Sequence, residues 1–197
     1  LCRVGAISFG SEPLPNAGTS LVTVAGRTLD EWRDAMKSLD PKAPEAAQEV
    51  EGLIAVMSDE HVPWFTRRQA ALTLGRIGEP AARAIPLLIQ YATTPTDDQE
   101  TSTALWSIKA LALYGRAGAS AAPSLARLVT DPGADLSLRM MSIEALCRIG
   151  TANPLALSTI VELLRSHEPC LGAGRMRSSE ELELVVASIE CLELFQG

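Results

Sequence analysis

Apolar positions recur at helical spacing along most of the chain. Leu29, Trp32, Met36 and Leu39 form one stripe and Val50, Leu53, Ile54 and Met57 a second; intervals of three and four residues predict amphipathic helices rather than strands. The pattern also repeats itself. Ser107-Ile108-Lys109-Ala110-Leu111 returns as Ser142-Ile143-Glu144-Ala145-Leu146 and as Ser188-Ile189-Glu190-Cys191-Leu192. A glycine stands four residues after the leucine at Leu74/Gly78, Leu111/Gly115 and Leu146/Gly150. Eight residues beyond each glycine come Pro86, Pro123 and Ser158, and the register run backwards reaches Glu51. These landmarks lie 35, 37 and 35 residues apart, the period of a two-helix solenoid unit. The last pentapeptide follows its predecessor by 46 residues, which places an insertion of about eleven residues near 166–179.

Each landmark has a physical role. Glycine closes a helix in the left-handed conformation without a steric penalty, and proline opens one where its missing N–H costs nothing. The predicted units are therefore about 28–58, 66–94, 101–131 and 136–166, with a half unit at 179–196. Thr28 with Glu31, Thr66 with Gln69 and Ser178 with Glu181 read as capping boxes, and Trp64 and Phe65 as a hydrophobic staple ahead of the second. Residues 1–25, rich in Gly, Pro, Ser and Asn, read as a disordered leader or linker. The final helix has no partner in the sequence, so it is either a capping half-unit or a point where the array continues.

The segment 68–78, Arg-Gln-Ala-Ala-Leu-Thr-Leu-Gly-Arg-Ile-Gly, followed by Ala84-Ile85-Pro86-Leu87-Leu88, resembles the HEAT-like repeat of the phycobilisome-lyase type found in bacterial proteins. Gly26-Arg27-Thr28-Leu29-Asp30-Glu31-Trp32 is similar to the unit that opens such arrays. The resemblance spans roughly 26–197 and implies an all-α, right-handed α-solenoid of about four and a half antiparallel helix pairs, a HEAT/ARM-like superhelix. It also implies that Arg68 and Arg139 pair with a loop carboxylate of the adjacent unit. The matched residues are packing residues, so the resemblance is nearly silent on activity.

Composition narrows the function. A 47% apolar chain with only 4% aromatics must build its core from Ala, Leu, Ile and Val. A net charge of -7 opposes nonspecific nucleic-acid binding, which needs clustered cations. Equivalent outward positions on the second helices, Ala55, Gln90, Arg127 and Glu162, sum to zero charge, unlike a phosphate-tracking surface. No run is long and apolar enough to span a bilayer. The apolar stretch 1–10 resembles the tail of a signal peptide without its basic start, which leaves both a cytoplasmic and an exported location open.

Candidate chemistry is sparse. Two irons are held by several His-Glu pairs in one HEAT-like family, deoxyhypusine hydroxylase. This chain has only His167-Glu168, placed by Pro169 in an inter-repeat loop, and His61 after Glu60. No metal or cofactor is expected. Cys147 and Cys191 read as small core residues, and the cysteine spacing indicates neither zinc nor a disulfide framework. A bilin lyase or isomerase is the alternative that the family resemblance raises, yet neither histidine stands in register with a nucleophile. Asp59, Glu60, Asp97, Asp98, Glu100, Asp131 and Asp135 either cap the helices that follow or form an acidic ridge.

What remains is recognition of a protein, or of another domain of the same longer chain, by a noncatalytic scaffold. The expected contact residues are Leu87, Gln90, Ser124, Arg127, Thr159 and Glu162 on the second helices, with Arg175 and Arg177 in the 167–177 loop. That loop is either tolerated disorder or a binding element.

Overall fold

A computed structural model describes residues 22–94, 98–172 and 178–194. Within them the chain forms a two-stranded ribbon, β1 (Thr23–Val24) and β2 (Arg27–Thr28), and nine α-helices. They are α1 (Leu29–Ser38), α2 (Ala46–Ser58), α3 (Trp64–Ile77), α4 (Ile85–Thr93), α5 (Asp98–Tyr114), α6 (Ala122–Thr130), α7 (Leu136–Ile149), α8 (Pro154–Gly172) and α9 (Ser179–Leu194). The first helices stack in a row, α3 on α5, α5 on α7 and α7 on α9, while each second helix packs on the first helix of the next unit. The result is the expected all-α, HEAT-like solenoid.

The repeated pentapeptide is the core of that row. Its serine, isoleucine and leucine are buried at residues 107, 108, 111, 142, 143 and 146, while its third position, Lys109, Glu144 and Glu190, is exposed. At two of the three copies the buried serine hydroxyl returns a hydrogen bond to the preceding turn, whereas Ser107 Oγ has no partner among the described residues. Ser142 Oγ donates to Leu138 O and Ser188 Oγ to Leu184 O, both at 2.7 Å.

Units are also tied together at one-repeat separations. Tyr91 Oη donates to Met57 O (3.1 Å), Tyr114 Oη to Ala81 O (2.9 Å) and Asn153 Nδ2 to Ala119 O (2.9 Å). Burial holds the Tyr114 phenol well above its ordinary pKa. The folded chain then keeps a proton that the unfolded chain releases above about pH 10, so this contribution is complete below that pH and declines as pH rises further. Tyr114→Phe should cost about 1 kcal/mol at neutral pH and flatten the alkaline limb of a pH-stability profile; an unchanged limb would count against the buried phenol.

Gly78 (φ +73°) ends α3 and Gly150 (φ +59°) ends α7, as predicted. Gly115 (φ +52°) does the same after α5, and short 3-10 turns at Glu79–Ala84, Gly115–Ala121 and Gly150–Ala152 lead into the second helices. Pro86 and Pro123 each stand one residue inside a helix start. Ser158 does not mark a start. Pro154 takes that place and α8 begins there.

Several expectations are corrected. Val22–Ala25 are not loosely attached: Ala25 (φ +50°) and Gly26 (φ +80°) close the ribbon in the doubly left-handed geometry of a tight hairpin. Trp32 Nε1 donates to Val24 O at 2.8 Å, so the ribbon covers the first helix pair; residues 1–21 lie outside the described residues. The indole occupies the space left by Gly52, where an added Cβ would meet Trp32 Cη2 at 2.1 Å. Thr28 and Glu31 form the predicted capping box, with Thr28 N–H donating to Glu31 Oε2 (2.7 Å) and Glu31 N–H to Thr28 Oγ1 (3.3 Å). Thr66 and Gln69 do not form one. Pro63 caps α3, which puts Trp64 and Phe65 in its first turn as an edge-to-face pair with centroids 6.1 Å apart. At the third predicted box, Glu181 N–H donates to Ser178 Oγ at 3.2 Å.

The end of the array departs most. Helix α8 runs through Pro169 to Gly172, so His167-Glu168 lies in a helix rather than a loop. The proline removes one backbone hydrogen bond, and the helix continues past that loss. The core cysteines are not free: Cys147 of α7 and Cys191 of α9 form a disulfide, with Cα atoms 5.4 Å apart.

That bond follows from the repeat. The residue before the repeated leucine is Thr73, Ala110, Ala145 or Cys191, and the residue after it is Gly75, Ala112 or Cys147. A Cβ added at Gly75 would lie 2.7 Å from Ala110 O and 2.8 Å from Ala110 Cα, so the position after the leucine in one unit meets the position before it in the next. Ala112 and Ala145 occupy the same two positions at the next contact, and Cys147 and Cys191 at the one after it.

Candidate interaction surfaces

The second helices present a mostly polar row. Gln90, Arg127 and Glu162 are exposed at equivalent positions, Leu87 and Ser124 are half-buried, and Arg127 Nη2 lies 3.4 Å from Ser124 Oγ. Thr159 leaves this row, with only 4% of its surface exposed. Arg175 and Arg177 lie outside the described residues.

The loop carboxylates act locally. Asp135 accepts from Ser137 N–H at 2.8 Å and caps α7. Asp131 accepts from Gly133 N–H at 2.8 Å. Asp59 accepts from His61 N–H at 2.9 Å and stands 3.2 Å from its Nδ1. The side chains of Asp97, Asp98 and Glu100 lie outside the description. Among the described residues no three His, Cys, Asp or Glu side chains converge on one point, and no helix is long and apolar enough to cross a membrane.

Among the described residues neither conspicuous arginine pairs with a loop carboxylate. Counted back from the repeated leucine, Arg139 matches Arg67, while Arg68 matches Leu105 and Met140. Arg139 Nε donates to Val129 O at 3.1 Å; Arg67 Nε is buried without an acceptor. Arg68 is stacked on aromatic rings. Its guanidinium carbon lies 5.1 Å from the centre of Trp64 on its own helix and 4.8 Å from that of Trp106 on α5. Lys109 Nζ lies 4.8 Å from the Trp106 ring as well. Burial alone lowers the Arg68 pKa, and no carboxylate pairs with it among the described residues. Two indoles in a chain with three tryptophans thus sit together on the first-helix face. The one-residue slip between Arg68 and Arg139 was the available signal.

Further along this face α7 and α9 enclose a groove of about 540 Å³, lined by Met140, Met141, Ala187, Cys147 and Cys191, with the Glu144–Arg148 ion pair (2.9 Å) at its rim. Beyond it Leu182, Val186 and Ile189 are exposed. Ile189 is 45% exposed where Ile108 and Ile143 are 0% and 1%, since no further helix follows α9 among the described residues. At the opposite end, Arg27 pairs with Glu49 (2.5 Å) and covers the Trp32 ring at 4.8 Å, and this hydrogen bond raises the Arg27 pKa.

Helix pairs at this period, glycine-stopped and stacked through small residues, have a counterpart among known families: residues 26–109 match the family model of HEAT repeats. That stretch of the chain is similar to HEAT repeats, and the helices that follow it stack in the same way. No curated protein and no solved structure matches it. The HEAT match begins after β1 and ends at Lys109, inside α5, and so covers β2, the first two helix pairs and the whole Arg68 cluster.

Proposed function

We propose that this protein is a noncatalytic scaffold that holds another protein, or another domain of a longer chain, along its HEAT array. The observation that carries this reading is the row of first helices, α3 on α5, α5 on α7 and α7 on α9, which sets successive units side by side along an extended face. HEAT repeats commonly serve in this way. The likeness of 68–78 to the phycobilisome-lyase type falls on Ala70, Ala71, Leu74, Gly75 and Ile77, all buried, and so supports a packing relationship rather than pigment chemistry.

On the second-helix side the contacts would come from Leu87, Gln90, Ser124, Arg127 and Glu162, with Arg175 and Arg177 as additions beyond α8. Affinity capture with the wild-type protein, followed by titration of the captured partner, tests this. The double variant Arg127→Ala, Glu162→Ala should weaken partner binding by about tenfold, the effect of losing charged contacts at an interface. Unchanged affinity in a folded variant would remove this face from the scaffold's binding surface.

A further inference from the structure

We propose that Trp64, Arg68, Trp106 and Lys109 form a second binding site, on the first-helix face, for an acidic protein segment that carries apolar residues beside its carboxylates. The site bridges two repeats, with Trp64 and Arg68 on α3 and Trp106 and Lys109 on α5.

Its chemistry is that of a carboxylate clamp. A guanidinium placed over ring faces engages its charge there without using its N–H donors, which match a carboxylate two at a time. Stacking also fixes the side chain beforehand, so less freedom is lost when a ligand arrives. Elsewhere in this chain the common arrangement is different: Arg27, Arg83 and Arg148 each pair with a glutamate. Arg68 and Lys109 are held by ring faces, with no carboxylate pairing them among the described residues, in a protein of net charge -7. An acid brought by a partner would complement these two cations.

The neighbouring surface selects the class of partner. Half-exposed Leu105, Met140 and Met141 lie next in the row and suit apolar side chains. The row that holds Lys109 continues with Glu144, which is paired with Arg148, and with Glu190, so the free cations end there for a phosphate chain that tracks the face. A nucleic acid would meet two cations and then carboxylates; a short peptide with its acids at one end meets a surface of matching polarity.

An array of short synthetic peptides in which Asp and Glu are varied against Leu and Phe provides the probe, with a parallel set carrying Asn and Gln for each acid. Binding is read by tryptophan fluorescence and by the indole N–H resonances. The acidic apolar peptides should outbind their amidated twins by about tenfold, the size expected of charge-assisted hydrogen bonds. Arg68→Lys and Lys109→Gln, each checked for an unchanged melt, should each lose most of that preference. The Arg127→Ala, Glu162→Ala variant should keep it, which separates failure of this site from failure of the second-helix face. No enrichment of acidic over amidated peptides overturns the proposal; so does equal binding by Arg68→Lys and Lys109→Gln, or displacement of the best peptide by a single-stranded oligonucleotide at equal concentration.

Discussion

Reducing the Cys147–Cys191 bond is expected to lower the melting temperature by roughly 8–16 °C. The two residues are 44 apart, and closing a loop of that length in the unfolded chain is worth about 4 kcal/mol, with each kcal/mol moving the midpoint by about 2–4 °C in a chain of this size. The repeat supplies its own control. Ala112 and Ala145 fill the same two positions one unit earlier, so the double variant Cys147→Ala, Cys191→Ala leaves a pairing the fold already accommodates and isolates the cross-link from packing. Stability in a stacked array is shared among neighbours, and hydrogen exchange should therefore rise first in α8 and α9. Identical melts with and without a phosphine reductant would show that the bond contributes nothing.

Gly75→Leu should be nearly as costly, by about 3 kcal/mol and roughly 6–12 °C. The obstacle is backbone: Ala110 O, Cα and C lie 2.7, 2.8 and 3.1 Å from where the new Cβ must go, and none can rotate away. Helices α3 and α5 have to part. Gly75→Ala should cost less, because better helix propensity returns about 1 kcal/mol. The same parting pulls Trp106 from Arg68, so the leucine variant should also change the tryptophan emission. A melt and a spectrum identical to wild type would show that the two helices do not approach so closely.

Much of the fold can be read in one pentapeptide, because Ser-Ile-x-Ala-Leu states which positions of a helix face inward and how often the statement recurs. Glycine and proline then supply the turns. What periodicity within a helix does not state is which position meets which across two helices. Cys147 and Cys191 therefore look like isolated small residues until the contact of Gly75 with Ala110 relates the position after one leucine to the position before the next. The ribbon at Thr23–Thr28 is too short to show alternation, and its hydrogen bond from Trp32 is a contact of a side chain with a distant carbonyl. Pro169 signals a stop that α8 overrides. The binding surfaces were less accessible still. On the second-helix row Gln90, Arg127 and Glu162 are exposed at equivalent positions, while Thr159 is buried, a difference that the sequence register does not carry. The Trp64–Arg68–Trp106 stack needed two helices to be set side by side before its members could be seen as one group.

The sulfur bridge also governs how the array would respond to a pull. Tension applied beyond Leu194 passes from Cys191 straight to Cys147, so the segment between them stays out of the load path. At about 3.5 Å per extended residue, roughly 150 Å of chain is withheld, and the length released under force comes from the helices ahead of Cys147. A protein anchored at both ends would thus yield in its early repeats while α8 and most of α9 remain slack inside a closed loop.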